Sequence, residues 1–182
     1  TVRALKMHGG IDKDDLKKEN LDALKKGMPN LERHIQNIKK FGLEIIVAIN
    51  HFVTDTDKEV KIIQEQCAKL GVKASLCTHW SEGGNGTKDL AYNVVEICKK
   101  SDTSKFKYLY SDQKPILEKV EKIAKEIYNA KGIEVDEQIK KQVKKIEQAG
   151  FGKFPVCIAK TQYSFSTDPK LKGAPSGHTL SI

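Results

Sequence analysis

The sequence predicts an α/β protein whose strands form a parallel sheet. Two apolar runs, at residues 43–49 and 72–78, have the length and the β-branched content of strands. Amphipathic helical patterns precede, separate and follow these runs, at residues 20–41, 56–70 and 87–99. Strands that alternate with helices of this length form right-handed βαβ units. The first run is almost entirely apolar, so we expect it to be buried on both faces.

Local signals predict the elements around these runs. Residues 1–7 alternate broadly between apolar and polar side chains and predict a further strand. Asp55 or Thr56 is expected to cap the helix after the first run, and Gly42 and Gly71 are expected to end helices. The Gly-Met-Pro-Asn step at residues 27–30 leaves open whether one helix or two cover 20–41.

The composition of the sequence changes after Lys100, where a polar stretch and a short aromatic segment follow. We therefore expect two parts, an α/β part at residues 1–110 and a smaller α+β part at residues 111–182. In the second part a helix is predicted to begin at Pro115 and another to cover 136–149. A buried strand is predicted at 154–159, followed by an irregular tail.

The charge pattern and hydropathy exclude several classes of protein. The formal net charge is +8, but every basic residue except Arg3 and Arg33 is a lysine, often placed among glutamates at helical spacing. This pattern is typical of solvated helix faces and predicts no nucleic-acid site, because base and phosphate readers favour arginine. No run approaches the roughly 20 apolar residues of a membrane helix and Thr1 does not open a signal peptide, so we expect a cytoplasmic location without membrane contact.

The four cysteines are widely spaced and form no CxxC pair, which predicts neither a zinc site nor a disulfide framework. The histidines are equally scattered, so no metal site is predicted. Cys77 and Cys157 lie inside predicted strands, where we expect them to pack as small core side chains.

Two aromatic residues follow predicted strands at the edge where open parallel sheets bind their ligands. Phe52 comes shortly after the first run and Trp80 shortly after the second. Neighbouring strands lie about 4.8 Å apart, so the two rings could stand roughly 7 Å apart and enclose one planar ring system. The alternative is that both rings fold back over the sheet and close the core; the spacing does not distinguish the two.

The same edge carries features that suit a nucleotide. Asn50 ends the first run, and its carboxamide offers the donor and acceptor that match a purine edge, although turn asparagines more often bond their own backbone. Gly83, Gly84 and Gly86 allow close approach to the backbone. The chain contains no GxxxxGK[ST] loop and no GxGxxG fingerprint. We therefore expect the phosphate-holding loop in a segment before Thr1.

Several segments together closely resemble the formate–tetrahydrofolate ligases and the ligase domain of eukaryotic multifunctional one-carbon folate synthases. They cover essentially the whole chain in order: TVRALKMHGG, NLERHIQNIKKFG, AINHFVTDTDKEV, CTHWSEGGNG followed by DLA, and GFGKFPVCIAKTQYSFSTDPKLKGAP. The resemblance implies a sheet of the P-loop NTPase type, of which residues 1–110 would be the C-terminal portion. It also implies a homotetrameric enzyme that joins formate to tetrahydrofolate through formyl phosphate, using ATP with Mg²⁺ and a monovalent cation.

By the same resemblance, Phe52 and Trp80 form the aromatic pair that encloses the folate, and Leu76 is an apolar contact in that pocket. The nucleotide is expected beside Asn50, Ser81, Glu82, Gly83 and Gly84. The family's catalytic lysine and arginine are expected before Thr1, so no catalytic residue is assigned here and the chain alone is expected to be inactive. The sequence departs from the family's PxGF wording at residues 175–178, and it stops at Ile182 before the family's glycine-rich C-terminal motifs.

Two other functions remain open on the sequence. One is a non-catalytic nucleotide- or folate-binding module, or a degenerate relative of the enzyme. The other is an RNA-binding protein that uses its lysines and loop aromatics.

Overall fold

The computed structural model describes residues 1–159, 161 and 163–182. The chain divides into two compact units, Thr1–Phe106 and Lys107–Ile182. Each unit contains helices and a parallel pair of strands. The predicted α/β class is therefore confirmed.

The first unit contains one βαβ arrangement and the helices around it. Its strands are β1 (Ile46–Asn50) and β2 (Lys73–Cys77), which pair in parallel from Ile46 opposite Lys73 to Asn50 opposite Cys77. Its helices are α1 (Val2–His8), α2 (Leu21–Lys39), α3 (Asp57–Lys69), α4 (His79–Glu82) and α5 (Lys88–Lys100), with 3₁₀ turns at Lys13–Asp15, Gly83–Thr87 and Thr103–Lys105. The parallel pairing predicted for the two apolar runs is confirmed.

Residues 1–7 lie in the helical start of the unit, so the strand predicted there is wrong. The Thr1 hydroxyl accepts a hydrogen bond of 3.1 Å from the N–H of Ala4 and caps α1. Val2, Leu5 and Lys6 are buried, and their spacing places them on one face of a helix. A buried lysine reads as polar in a hydropathy pattern, which hides this helical stripe.

One continuous helix, α2, covers the segment that the sequence left open. The Asn20 side chain caps it by accepting from the N–H of Ala23 at 2.9 Å. Pro29 lies inside the helix and does not end it. α1 packs so closely on α2 that a Cβ at Gly9 or at Gly27 would overlap a backbone carbonyl oxygen of the other helix.

A fully buried ion pair joins α1 to the start of α3. Lys6 Nζ lies 2.9 Å from Glu59 Oε1, and both side chains are 0% exposed. Lys6 Nζ also donates to the carbonyl of Lys18, and Glu59 accepts from the N–H groups of Asn20 and Thr56. Thr56 caps α3 through a capping box with Glu59, which confirms the predicted cap. The connection between β1 and α3 is therefore fixed at its far end.

The face of β1 that carries Ala48 is open, so burial on both faces is wrong for this strand. Ala48 is exposed, whereas Ile49 is buried in the core with Val60 and Ile63 of α3. α5 contacts β2 through Asn93, whose side chain donates to the Ser75 hydroxyl at 3.0 Å.

The second unit has its own small core. It contains α6 (Ile116–Glu126), α7 (Glu137–Ile146) with a π-helical turn at Glu147–Phe151, and strands β3 (Gly132–Glu134) and β4 (Thr179–Ser181), which pair in parallel. Pro115 precedes α6 and the Asp136 side chain caps α7, close to the predicted helix starts. The core is apolar: Ala124, Tyr128, Ala130, Phe165 and Leu180.

The run at 154–159 is not a strand, which corrects a prediction. The Tyr110 hydroxyl accepts from the N–H of Val156 at 2.8 Å and donates to its carbonyl at 3.2 Å. Lys119 Nζ donates to the carbonyls of Gly152 and Phe154. Side chains therefore occupy backbone groups that a neighbouring strand would need.

The cysteines divide according to these elements. Cys77 is buried at the end of β2, as predicted. Cys157 is exposed, so its predicted place in the core is wrong, because its segment does not enter a sheet. Within the described ranges, no helix combines the length and apolar character needed to cross a bilayer.

Candidate functional site

Both candidate aromatic residues follow strands that end at the same edge of the first unit's sheet. Asn50 and Cys77 face each other at the carboxyl ends of β1 and β2. The ladder continues one bond further, from the N–H of His51 to the carbonyl of Cys77 at 3.1 Å. Phe52 and Trp80 follow within three residues of these ends, in the arrangement expected of an open parallel sheet.

Hydrogen bonds hold the main chain around Phe52 in a closed turn. The N–H of Phe52 donates to Asp55 Oδ2 at 2.9 Å. The N–H of Asp55 donates back to the carbonyl of Phe52 at 2.8 Å. Asp55 is buried, and the capped start of α3 follows immediately. The turn therefore fixes the position from which the Phe52 ring departs.

Arg3 of α1 covers one face of the Phe52 ring. Its guanidinium carbon lies 4.1 Å from the ring centroid, within the range of a cation–π contact. Its Nη2 donates to Thr54 Oγ1 at 3.0 Å. The ring is half-buried, so it packs against the first unit and is not fully exposed to solvent.

The segment after β2 forms a helical turn and not the open loop that was expected. In α4, the N–H groups of Ser81 and Glu82 both donate to the carbonyl of Thr78 at 3.0 Å. The N–H of Thr78 in turn donates to the carbonyl of Gly86, also at 3.0 Å. The segment 78–86 is thus closed on itself at its base, and it presents Trp80 on a short ordered turn.

The Trp80 side chain is 72% exposed. It therefore does not close the core of the first unit, which was the alternative to a ligand slot. The indole is accessible at the carboxyl edge of the strands, where open parallel sheets bind their ligands.

The other predicted site residues lie on the same two segments. Leu76 on β2 is 37% exposed and lines a groove of about 320 Å³ with Asp89 and Tyr92 of α5. Asn50 is half-buried at the end of β1. The predicted nucleotide residues of the turn are all exposed: Ser81, Glu82, Gly83 and Gly84.

The Cys77 thiol is a packing group at this edge. It is buried, and burial raises its pKa, which disfavours the nucleophilic thiolate.

The family model described as formate–tetrahydrofolate ligase matches residues 1–182. The chain belongs to this family. A formate–tetrahydrofolate ligase of Pelagibacter ubique is 61% identical over 182 residues, which are 100% of this chain and 32% of the relative. Relatives of the same name from Hyphomonas neptunium and Rhizobium rhizogenes are 55% and 51% identical, and this chain covers 33% and 32% of them. The chain thus spans about a third of the length of the curated relatives it matches.

In the described part of this ligase segment, the potential metal ligands are dispersed. Across residues 1–159, 161 and 163–182, no group of three or more His, Cys, Asp or Glu side chains could hold a metal ion.

The sequence did not single out Arg3 or Thr54 as residues that shape this edge of the ligase segment, and it gave Asp55 and Gly86 other roles. Asp55 was considered only as a helix cap. Gly86 was considered for ligand approach, but a Cβ there would lie 2.5 Å from the carbonyl carbon of Thr78 and 2.6 Å from its hydroxyl oxygen, so it is needed for the turn itself. No pattern in the sequence singled out Arg3, because its contact with Phe52 depends on the packing of α1.

Proposed function

We propose that this chain supplies the folate slot and one side of the nucleotide pocket of an ATP-dependent formate–tetrahydrofolate ligase. The observation that carries the proposal is the exposed Trp80 on a closed turn beyond β2, at the sheet edge from which Phe52 also departs. Membership of the ligase family supports folate as the flat ligand of these rings.

In this proposal Phe52 and Trp80 stack on the pterin, and Leu76 adds an apolar contact. Stacking on a ring whose backbone is already fixed loses little conformational freedom, which favours binding. The closed turns at 52–55 and 78–86 provide that fixed backbone.

The nucleotide is assigned to the same edge. Asn50 would pair with the purine through its carboxamide, which has one acceptor and one donor side. The exposed turn of Ser81, Glu82, Gly83 and Gly84 would lie against the base. We assign no phosphate-holding, metal-binding or catalytic residue to this chain; the phosphates, Mg²⁺ and a monovalent cation are assigned to other parts of the ligase.

The proposed reaction has two displacement steps. A formate oxygen attacks the γ-phosphorus of ATP, and ADP leaves. A tetrahydrofolate amine then attacks the carbonyl carbon of formyl phosphate, phosphate leaves, and the nitrogen loses a proton. Positioning supplies much of such a rate enhancement, and the contribution of this chain is to hold the pterin ring and exclude water from one side of it.

The deciding experiment compares folate affinity with stability in the full-length ligase. Trp80→Ala should weaken tetrahydrofolate binding by about 1–3 kcal/mol, going by aromatic stacking of bases on other scaffolds. Its melting temperature should hardly change, because the indole is 72% exposed. Phe52→Ala should weaken folate binding by a similar or smaller amount, whereas ATP affinity should change much less in both variants.

A matched control is Tyr108→Ala, which removes another exposed ring, 80% accessible, from the second unit. It should leave folate affinity unchanged. A folded Trp80→Ala protein that binds folate normally would refute the slot.

An activity assay separates the ligase from a non-catalytic binder. Formate-dependent release of ADP by the full-length protein supports the ligase, and folate binding without ADP release supports the binding module. Submicromolar binding of RNA at physiological salt would favour the third possibility.

The remaining proposals concern the whole protein. We propose that β1 and β2 belong to a larger sheet of the P-loop NTPase type, that the enzyme is a homotetramer, and that it acts in the cytoplasm. A structure of the full-length protein, its mass in solution and cell fractionation test these three proposals.

A further inference from the structure

Arg3 lies outside the two site loops, on a helix whose position is held by several contacts. It lies on α1, whose position is fixed by the Thr1 cap, the buried Lys6–Glu59 pair and the backbone contact with α2. From this base its guanidinium reaches Phe52 and Thr54, which are 49 and 51 residues further along the chain.

The guanidinium of Arg3 makes a hydrogen bond as well as the ring contact. One nitrogen donates to Thr54 Oγ1 at 3.0 Å. Arg3 Nε is buried and has no hydrogen-bond partner among the residues that the structure describes. A buried donor without a partner is unfavourable. The cation–π contact, with 4.1 Å between Cζ and the ring centroid, is the interaction gained at this position.

A guanidinium pressed against one face of an aromatic ring limits the rotation of that ring. Phe52 is half-buried in a short turn, and its backbone is already fixed by Asp55. Because Arg3 occupies one face, a flat ligand can stack only on the opposite face. A ring that is ordered before binding does not have to be ordered by the ligand, which raises affinity.

We propose that Arg3 is a positioning residue of the folate slot: it holds the Phe52 ring so that the opposite face is presented to the pterin. This inference rests on the proposed function, since it requires that Phe52 contact the folate. Arginine suits the role better than lysine, because its planar group stacks on the ring while one nitrogen bonds Thr54.

The first measurement is ligand affinity by calorimetry on the full-length ligase, with tetrahydrofolate kept reduced. Arg3→Met keeps an unbranched apolar stem and removes the charge and the fork. We expect tetrahydrofolate binding about tenfold weaker, as for the loss of one cation–π contact and the order it gives. ATP affinity should stay within about twofold, because the phosphates are assigned to other parts of the ligase and Arg3 is assigned no contact with the base. Arg3→Lys should give an intermediate loss.

A double-mutant cycle identifies the ring as the route of the effect. In a Phe52→Leu background, Arg3→Met should change folate affinity by less than about twofold, because the group it positions is gone. If Phe52→Leu alone leaves folate affinity unchanged, the slot itself is refuted. If Phe52→Leu weakens binding but Arg3→Met does not, only the positioning role is overturned.

A second variant covers the case in which Arg3→Met does not fold. Thr54→Val keeps the shape of the side chain and removes the hydrogen-bond acceptor of Arg3; we expect a selective loss of folate affinity of about threefold, near the lower end of the net contribution of a hydrogen bond. Unchanged folate affinity in a folded Thr54→Val protein would then overturn the proposal.

Arg33→Met, the same substitution at the sequence's other arginine on α2, is the matched control. It should leave the ratio of folate to ATP affinity unchanged. Equal loss of both ligands in Arg3→Met, or the same selective loss in Arg33→Met, would show a general structural role and overturn the inference.

Discussion

Replacing Lys6 by methionine should strongly destabilise the first unit. The substitution keeps most of the side-chain volume but removes a cation that lies 2.9 Å from Glu59 at 0% exposure. Glu59 would keep its two backbone N–H donors and lose its counter-ion. Removing one partner of a buried pair typically costs about 3–5 kcal/mol. The carbonyl of Lys18 also loses a donor, at about 1 kcal/mol.

The double variant Lys6→Met/Glu59→Gln should lose less free energy of unfolding than the two single variants together. The neutral amide no longer needs a counter-ion, so we expect a coupling energy of about 1–3 kcal/mol. Urea unfolding of the 182-residue chain, followed by far-UV circular dichroism, measures all four free energies. Trp80 fluorescence is a poor probe here, because the indole is already exposed in the folded chain.

The matched control is Lys114→Met on the surface. Lys114 also lies 2.9 Å from its partner, Glu118, but those side chains are 52% and 54% exposed. Its loss should cost about 0–1 kcal/mol. If Lys6→Met costs no more than Lys114→Met, or if the effects of the cycle simply add, burial does not couple the pair and the reasoning is refuted.

Three further predictions concern pH, backbone space and thiols. Burial raises the pKa of the Glu59 carboxyl, but the hydrogen bonds from Lys6, Thr56 and Asn20 outweigh burial and hold that pKa below its ordinary value. The ionised Glu59 therefore stabilises the fold above its unfolded pKa, and this stabilisation is lost as pH falls through the folded pKa. The destabilisation caused by Glu59→Gln should thus shrink between about pH 7 and pH 3. An unchanged difference in the free energy of unfolding between the two proteins would contradict this prediction. Gly86→Ala should lower stability by about 1–3 kcal/mol in urea unfolding, because its Cβ would meet Thr78, whereas Gly84→Ala, which points into open space, should not; equal effects would contradict the turn geometry. A thiol reagent should modify the exposed Cys98 and Cys157 first and reach the two buried thiols, whose pKa is raised by burial, only on unfolding; four equal rates would refute this order.

The elements with regular apolar patterns were predictable from the sequence. β1, β2 and α3 occur close to their predicted positions, and Thr56 caps α3 as expected. Local patterns suffice there, because the buried stripe and the capping residues lie within one element. α1 was missed because its inward face carries a lysine, and the glutamate that neutralises Lys6 lies 53 residues away.

The prediction of a strand at 154–159 was wrong for a related reason. Its apolar composition suits a sheet, but Tyr110 and Lys119, distant in the sequence, bind its backbone groups. At the candidate site, the sequence indicated which loops meet at the sheet edge. It could not indicate that Arg3 lies on the Phe52 ring, because that contact depends on the packing of α1. The folate and nucleotide roles of the predicted residues remain predictions.

The backbone contact between α1 and α2 has a consequence for mutational scanning of this gene segment. Any missense change at Gly9 or Gly27 adds at least a Cβ, and that atom has no room against the facing carbonyl. Both codons should therefore score as intolerant as those of Phe52 and Trp80 in a growth selection that requires the proposed ligase activity. A map of intolerant positions alone would then group Gly9 and Gly27 with the proposed site residues, although this helix contact touches no proposed ligand. Only a parallel measurement of protein abundance in the cell would separate the glycines from the site residues.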